Sequence, residues 1–347
     1  MTLELRDVTK TFSDDASSGV RNVSLRLPEG QLTALLGPSG AGKTTAMRLI
    51  AGLLAPDSGD ILLDGTSILP LPPERRGIVL VFQNALLFPH MSLAENVAFG
   101  LKMRGLPRDE TARRVAEMLD LVQLTGLGSR RPHELSGGQL QRGALARALV
   151  LKPRLMLLDE PLSSLDVALR EDMRDLIRHL QRATGVTLLM VTHDQSEAVA
   201  LADRIALMMA GRLIQEAGPD EIFQRPNSVA TARFFGGTNF LPGRADKGRF
   251  ISSLGPLVLP PGQPNGPGVL TIRPEAVQLV DGSGDVRAQV TEKLFLGSQT
   301  RVRLLADGVP LTALVAPDRA EALSPGSWIG VRLPTHALWV LPAPAAD

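Results

Sequence analysis

Nine residues, GPSGAGKTT from Gly37 to Thr45, constrain this chain more than any other stretch. An apolar run, Gln31 to Leu36, leads into them; Thr44 to Ala51 follows at helical spacing and stops at Gly52. A strand that breaks at Gly37, Gly40 and Gly42 and continues as a helix turns successive backbone N–H groups toward one point. The helix N-terminus adds partial positive charge there. Such a turn cradles phosphate oxygens, with Pro38, Ser39, Ala41 and Thr45 completing the loop. Lys43 is placed to bridge the outer phosphates of a nucleotide, and the Thr44 hydroxyl to ligate Mg2+.

This P-loop pattern is common to kinases, GTPases and motors, and a second segment narrows the choice. LMLLDEP, Leu155 to Pro161, is an apolar strand ending in two carboxylates. Asp159 is expected at the strand's C-terminal end, holding the Mg2+ shell beside the P-loop. Glu160 is expected on the other face of the strand, polarising a water. A base beside the metal suits hydrolysis better than transfer to a bound acceptor. A third segment, LSGGQ from Leu135 to Gln139, opens another helix. Its Ser136 hydroxyl and the N–H groups of Gly137 and Gly138 make a second anion nest, bounded by Gln139. Two phosphate sites in one chain need an explanation.

Together these motifs resemble the ATP-binding cassette (ABC) ATPases, densely over residues 1–235. The resemblance implies an α/β P-loop NTPase with a helical subdomain inserted at about 84–152. It also implies a head-to-tail homodimer, in which Ser136 to Gln139 of one chain complete the ATP site formed by the P-loop of the other. Further residues take family roles. Gln83, after the strand Ile78 to Phe82, matches the glutamine that senses Mg2+ and the water. Ser164, Leu165 and Asp166 match the loop crossing between subunits, with Asp166 near the nucleotide. His193, after the strand Thr187 to Val191, matches the switch histidine at the γ-phosphate. Phe12, in VTKTF, matches the aromatic that stacks on adenine. Catalysis then falls to Glu160, His193, Gln83 and Lys43. The segment QNALLFPHMSLAENVAFGL resembles importer ATPases, with Phe88, Pro89 and His90 at a cleft that receives a membrane subunit. Two departures stand out: Gly143 inside the signature helix, where glycine costs ~1 kcal/mol against alanine, and Leu140, where relatives carry a polar residue.

After about residue 240 the prolines cluster, and short β-rich runs alternate with Gly and Pro, as in a small barrel or sandwich. GTNFLPGR and IRPEAV resemble the all-β, OB-like transport-associated domain of importer ATPases, here 236–347, which is dimerising or regulatory. An OB-like module raises nucleic acid as a partner, yet this stretch has near-equal basic and acidic residues and few aromatics. Across the 347 residues, 37 basic and 36 acidic side chains leave a net charge of +1, no footprint for nucleic acid. The absence of cysteine excludes disulfides and thiolate catalysis. MTLELRDVTK lacks the apolar stretch of a signal peptide, and no apolar run approaches the ~20 residues that span a bilayer. The expectation is a peripheral ATPase on the cytoplasmic face of the inner membrane. It would energise two permease subunits and, through them, an extracytoplasmic solute-binding protein. Iron(III) or polyamine is the favoured solute, with sulfate, molybdate or sugar as the alternative. A soluble ABC ATPase acting on nucleic acid is the reading from another class.

Overall fold

Leu32–Leu36 is buried at every position, as a strand must be when helices or sheets cover both of its faces. The computed structural model of the chain describes residues 2–12, 15–84, 87–163 and 165–343. These form two compact units, 1–219 and 220–347.

The first unit runs β1 (Leu3–Phe12), β2 (Asp15–Leu27), β3 (Leu32–Leu36), α1 (Lys43–Ala51), β4 (Ser58–Leu63), β5 (Thr66–Ser67) and β6 (Ile78–Val81). Then follow α2 (Leu93–Met103), α3 (Arg108–Leu121), α4 (Gly137–Leu149), β7 (Leu155–Asp159), α5 (Val167–Thr184), β8 (Thr187–Thr192), α6 (Gln195–Leu201), β9 (Arg204–Met209) and β10 (Arg212–Ala217). The central sheet has the order β10-β9-β3-β8-β7-β6, parallel except for β10. An antiparallel sheet, β2-β1-β4-β5, lies over it, and Met47 and Ile50 of α1 share one core with both.

Register decides where the chemistry lies. Leu36 pairs with Thr192, and Asp159 with Val191. The turns beginning at Gly37, Glu160 and His193 therefore open on one edge of the sheet, the carboxyl edge where α/β sheets bind ligands. Val81 pairs with Leu158, which brings the residues after β6 to the same edge.

Two local devices hold α1. Gly42 and Gly52, both left-handed, bound the helix, and the Gly52 N–H donates to Arg48 O and Leu49 O. Arg76, only 5% exposed, donates from Nη1 to Leu49 O and Ile50 O, placing a cation at the negative helix end. In the helical segment, α2 starts on a Ser92–Glu95 capping box and packs on α4. A Cβ on Gly143 would sit 2.8 Å from Leu93 Cδ1 and 3.2 Å from Leu87 Cδ1. The glycine that looks costly in sequence is what allows this close approach. Nothing in the structure explains Leu140.

The second unit begins with α7 (Pro219–Gln224), at the boundary, and α8 (Val229–Phe234). Strands follow: β11 (Asn239–Asp246), β12 (Arg249–Ser252), β13 (Gly255–Val258), β14 (Gly266–Ile272), β15 (Gln278–Val280), β16 (Val286–Phe295), β17 (Thr300–Ala306) and β18 (Val309–Val315). It closes with α9 (Pro317–Glu321), β19 (Trp328–Arg332) and β20 (Trp339–Pro342). Two antiparallel five-stranded sheets, β13-β12-β11-β14-β20 and β15-β19-β16-β17-β18, share a core built on Phe250, Leu270, Val290 and Val302. The fold is thus all-β and OB-like, as expected.

The helices α7 and α8 are tied to these strands. The Arg273 guanidinium donates to the carbonyls of Phe223 and Phe235 and lies 3.8 Å from the Phe223 ring centroid, while Trp339 Nε1 donates to Pro226 O. Removing 220–347 is therefore expected to leave a first unit that melts cooperatively. Cutting at 239/240 instead strands Phe223 and the buried Phe235 without their cover, and that product should aggregate. Calorimetry and light scattering on the two truncations check this.

Candidate nucleotide site

The loop between β3 and α1 is built on positions that admit no side chain. Gly37 has φ 157°, and a Cβ there would lie 2.1 Å from Met208 O; Gly42 has φ 92°, with its Cβ 2.3 Å from Gly19 O. Pro38, Ser39 and Gly40 are exposed at the crest, while Ala41 is buried beneath. Lys43 is folded back under the crest, its Nζ donating to Gly37 O (2.8 Å) and Pro38 O (2.9 Å). It is 7% exposed. Burial pushes its pKa down, against the pull of the Glu160 and Asp159 carboxylates. Thr44 is exposed and Thr45 half-buried on the first turn of α1.

Asp159 is the last residue of β7. Burial, and then the charge of Glu160, push its carboxyl above the usual range, while Arg48 and Lys43 pull it back. Glu160 does not continue the strand, as the sequence reading had it. The residue turns left-handed, with φ 44°, and its N–H donates to Val191 O. The turn aims the carboxylate sideways, so that Oε1 lies 3.1 Å from His193 Nδ1. A carboxylate accepts, which assigns the hydrogen to Nδ1 and leaves Nε2 free. Behind His193, Thr192 Oγ1 donates to the buried Glu197 at 2.6 Å, and Asp194 caps α6 through Ser196 N and Glu197 N.

Gln83 joins the same cluster through a residue that no motif singled out. Its Nε2 donates to Ser163 Oγ (3.0 Å), and Ser163 Oγ donates to Glu160 O (2.9 Å). Gln83, Ser163, Glu160 and His193 thus form one hydrogen-bonded chain. Ser163 is a plain loop serine in sequence; only the sharp turn at Glu160 gives it its place.

The signature residues lie apart from this cluster. Ser136 caps α4: its Oγ accepts from Gln139 N (3.3 Å), and Gln139 Oε1 accepts from Ser136 N (2.9 Å). Among the described residues, no hydrogen bond from Ser136 or Gln139 reaches 37–45. A Cβ on Gly137 would meet nothing within 4 Å, whereas Gly138 faces Leu169. Packing inside the chain therefore does not demand Gly137. Buried Gln141 ties α4 to the turn after β7 by donating to Pro161 O. Asp166 caps α5 by accepting from Leu169 N, and its side chain is exposed. Ser164 lies outside the described residues. Phe12, at the end of β1, is 37% exposed.

A cleft of about 460 Å³ lies beside Gln83, lined by Phe82, Phe88, Phe99, Met103 and Arg147 among others. Phe88 packs 4.9 Å from Phe99 and lies under Arg147, its backbone held by buried Asn96, so it is half wall and half core. Pro89 and His90 are exposed, and Ala85 and Leu86 lie outside the described residues.

The ABC transporter model matches residues 20–163, and the TOBE domain model matches 270–341. The spermidine/putrescine import ATP-binding protein PotA of Pseudomonas fluorescens is 42% identical, over 98% of both chains. The chain belongs to the ABC transporter ATP-binding family. PotA of Rubrobacter xylanophilus is 44% identical over 95% of this chain and 90% of its own. The Fe(3+) ions import ATP-binding protein FbpC of Escherichia coli is 45% identical over 92% of each. Among solved structures, cbiO1 of Clostridium perfringens, part of the ABC transporter complex cbiONQ, superposes with TM-score 0.59 at 31% identity, over 64% of this chain and 90% of that one. The dimeric ATP-binding cassette MJ0796, bound to ADP and Pi, gives 0.55 at 31% identity, over 62% and 98%. This ABC protein is accordingly an ATP-binding, ATP-hydrolysing subunit of the importer type, with a C-terminal TOBE domain. No helix among the described residues is long and apolar enough to cross a membrane.

Proposed function

We propose that two copies of this chain close head to tail on two ATP molecules, and that Glu160 drives hydrolysis at each site. The observation that carries the reading is the split of the anion-binding groups. The P-loop edge holds Lys43, Glu160 and His193 together, while the Ser136 nest sits apart with an open approach at Gly137. The dimeric relative bound to ADP and Pi supports a two-copy assembly that holds nucleotide.

Within each site the roles follow the geometry. Residues 37–45 wrap the phosphates with N–H groups, Lys43 exchanges loop carbonyls for phosphate oxygens, and Phe12 offers its exposed ring to the base. Glu160 takes the proton of the attacking water, and His193, held by Nδ1, presents Nε2 toward the γ-phosphate. Ser136, Gly137 and Gly138 of the partner copy balance the charge of the transferring phosphate, with Gln139 and Asp166 at the seam.

Asp159, Thr44 and Gln83 supply hard oxygen donors without a cluster of three carboxylate or imidazole groups among the described residues. That set suits Mg2+, which binds through one or two carboxylates plus phosphates. Burial and the charge of Glu160 raise the Asp159 carboxyl, and a bound cation would offset both by favouring its ionised form. Mg2+ would neutralise phosphate charge there.

In each copy the cleft beside Gln83 receives a segment of one of two permease subunits, with the chain on the cytoplasmic face of the inner membrane. An extracytoplasmic binding protein delivers solute to the permeases. The PotA and FbpC relatives support polyamine or iron(III) as that solute, and uptake of labelled spermidine and ferric iron by cells lacking this chain separates the two.

The dimer is tested by Ser136→Arg. Because Ser136 has no hydrogen bond to the P-loop of its own chain, the variant should stay folded and cooperative, melting only a little lower for the lost cap of α4. It should lose ATP-dependent dimerisation in gel filtration and at least ~100-fold of its turnover. A strictly monomeric chain with full turnover would refute the sandwich.

A further inference from the structure

We infer that Ser163 is a positioning residue that sets which atom of the Gln83 amide faces the nucleotide, and that it locks Glu160 in its left-handed turn. The inference rests on the roles proposed for Gln83 and Glu160.

The argument is one of hydrogen count. A serine hydroxyl has one hydrogen to give and two lone pairs to receive with. Ser163 gives its hydrogen to Glu160 O at 2.9 Å. Toward Gln83 it can then only accept, so the amide must present Nε2 to it, at 3.0 Å. The carboxamide oxygen is thereby directed away from Ser163, free to act as an acceptor or ligand. An unrestrained glutamine has no such preference, because its two ends are nearly the same size. Ser163 thus sorts a donor from an acceptor at the residue placed to feel the cation and the water.

The second half concerns Glu160. Its φ of 44° is a conformation that non-glycine residues seldom adopt without support. Three hydrogen bonds hold it: Glu160 N to Val191 O, and Ser163 N and Oγ to Glu160 O. The side-chain bond is the one that a substitution can remove while leaving the backbone bonds in place. A shift of the Gln83 loop pulls on Ser163 and, through it, on the carbonyl of the catalytic residue. The Gln83 loop, which borders the cleft, and the base are therefore two hydrogen bonds apart, from Gln83 to Ser163 and from Ser163 to the Glu160 carbonyl.

Full-length Ser163→Ala, Gln83→Ala and the double variant decide the matter, with Glu160→Gln as reference. Ser163→Ala is expected to melt like the parent and to lower kcat about tenfold with KM nearly unchanged. The double variant should lose less than the product of the two single losses, because both changes cut the Gln83–Ser163 link and only Ser163→Ala also frees the Glu160 turn. A readout independent of turnover is the affinity for a non-hydrolysable ATP analogue with and without Mg2+. Ser163→Ala should reduce the gain from Mg2+ about threefold while leaving metal-free affinity unchanged. Parent-like kcat in Ser163→Ala, or losses that multiply in the double variant, would overturn the inference. If Glu160→Gln itself turns over at the parent rate, the underlying assignment of the base has failed instead.

Discussion

Glu160→Gln is expected to cut ATP turnover about a thousandfold while leaving nucleotide binding intact. The substitution is nearly isosteric, so the left-handed turn and the contact with His193 Nδ1 both survive; glutamine retains an accepting oxygen. What it loses is the capacity to take a proton. It also removes the negative charge that helps to raise the carboxyl of Asp159. A carboxyl held high in this way favours the folded chain at acidic pH, and that contribution fades as pH climbs through its folded-state value. With one cause removed, the fade should be smaller. The melting temperature of the variant should thus match the parent in acid and depart from it only toward neutrality, where relief at Asp159 opposes the lost attraction for Lys43. Phosphate release, analogue binding and melting curves across pH test the three parts; turnover within tenfold of the parent would exclude Glu160 as the base.

Lys43→Ala should be the other severe lesion, lowering turnover by at least ~100-fold and weakening ATP binding with it. The reasons differ from those at Glu160. Lys43 is a buried cation that satisfies the carbonyls of Gly37 and Pro38 before any ligand arrives. Alanine removes the phosphate partner and also leaves the buried Gly37 carbonyl without a donor, a loss of ~1–3 kcal/mol. The ligand-free variant should therefore melt lower than the parent. Lys43→Met, which keeps the apolar stem, should recover part of the melting temperature and none of the turnover. Recovery of turnover by Met would show that packing, not charge, is what the site needs.

The P-loop was legible because its demands are local: glycines at three turn positions, a lysine and a helix start, all within nine residues. The strand ends carrying Asp159 and His193 were legible for a similar reason, since apolar runs of four to six residues mark the centre of a parallel sheet. Glu160 shows where this stops. Its residue type announced a base, but its left-handed backbone depends on bonds from Val191, thirty-odd residues on, and from Ser163, and neither is visible from spacing. Ser163 went unnoticed because a loop serine looks like any other until its partner from the Gln83 loop is placed beside it. Gly143 read as a defect while its neighbour, Leu93, lay fifty residues away. In the second unit the strands could be read from Gly and Pro punctuation. The attachment of α7 and α8 could not, because it runs through Arg273, whose acceptors are backbone carbonyls and so leave no sequence trace.

The reciprocal bonds between Ser136 and Gln139 carry one more implication. The hydroxyl oxygen, the amide oxygen and two backbone N–H groups serve one another here, and what they leave over is donors alone, which offer little to a surface without an anion. Two copies colliding without fuel gain almost nothing by lingering here. An anion delivered on the opposite copy changes that, because it can draw the hydroxyl hydrogen, which the cap leaves unused. In the proposed sandwich, idle subunits would thus be kept from sticking, and the grip reserved for a loaded encounter.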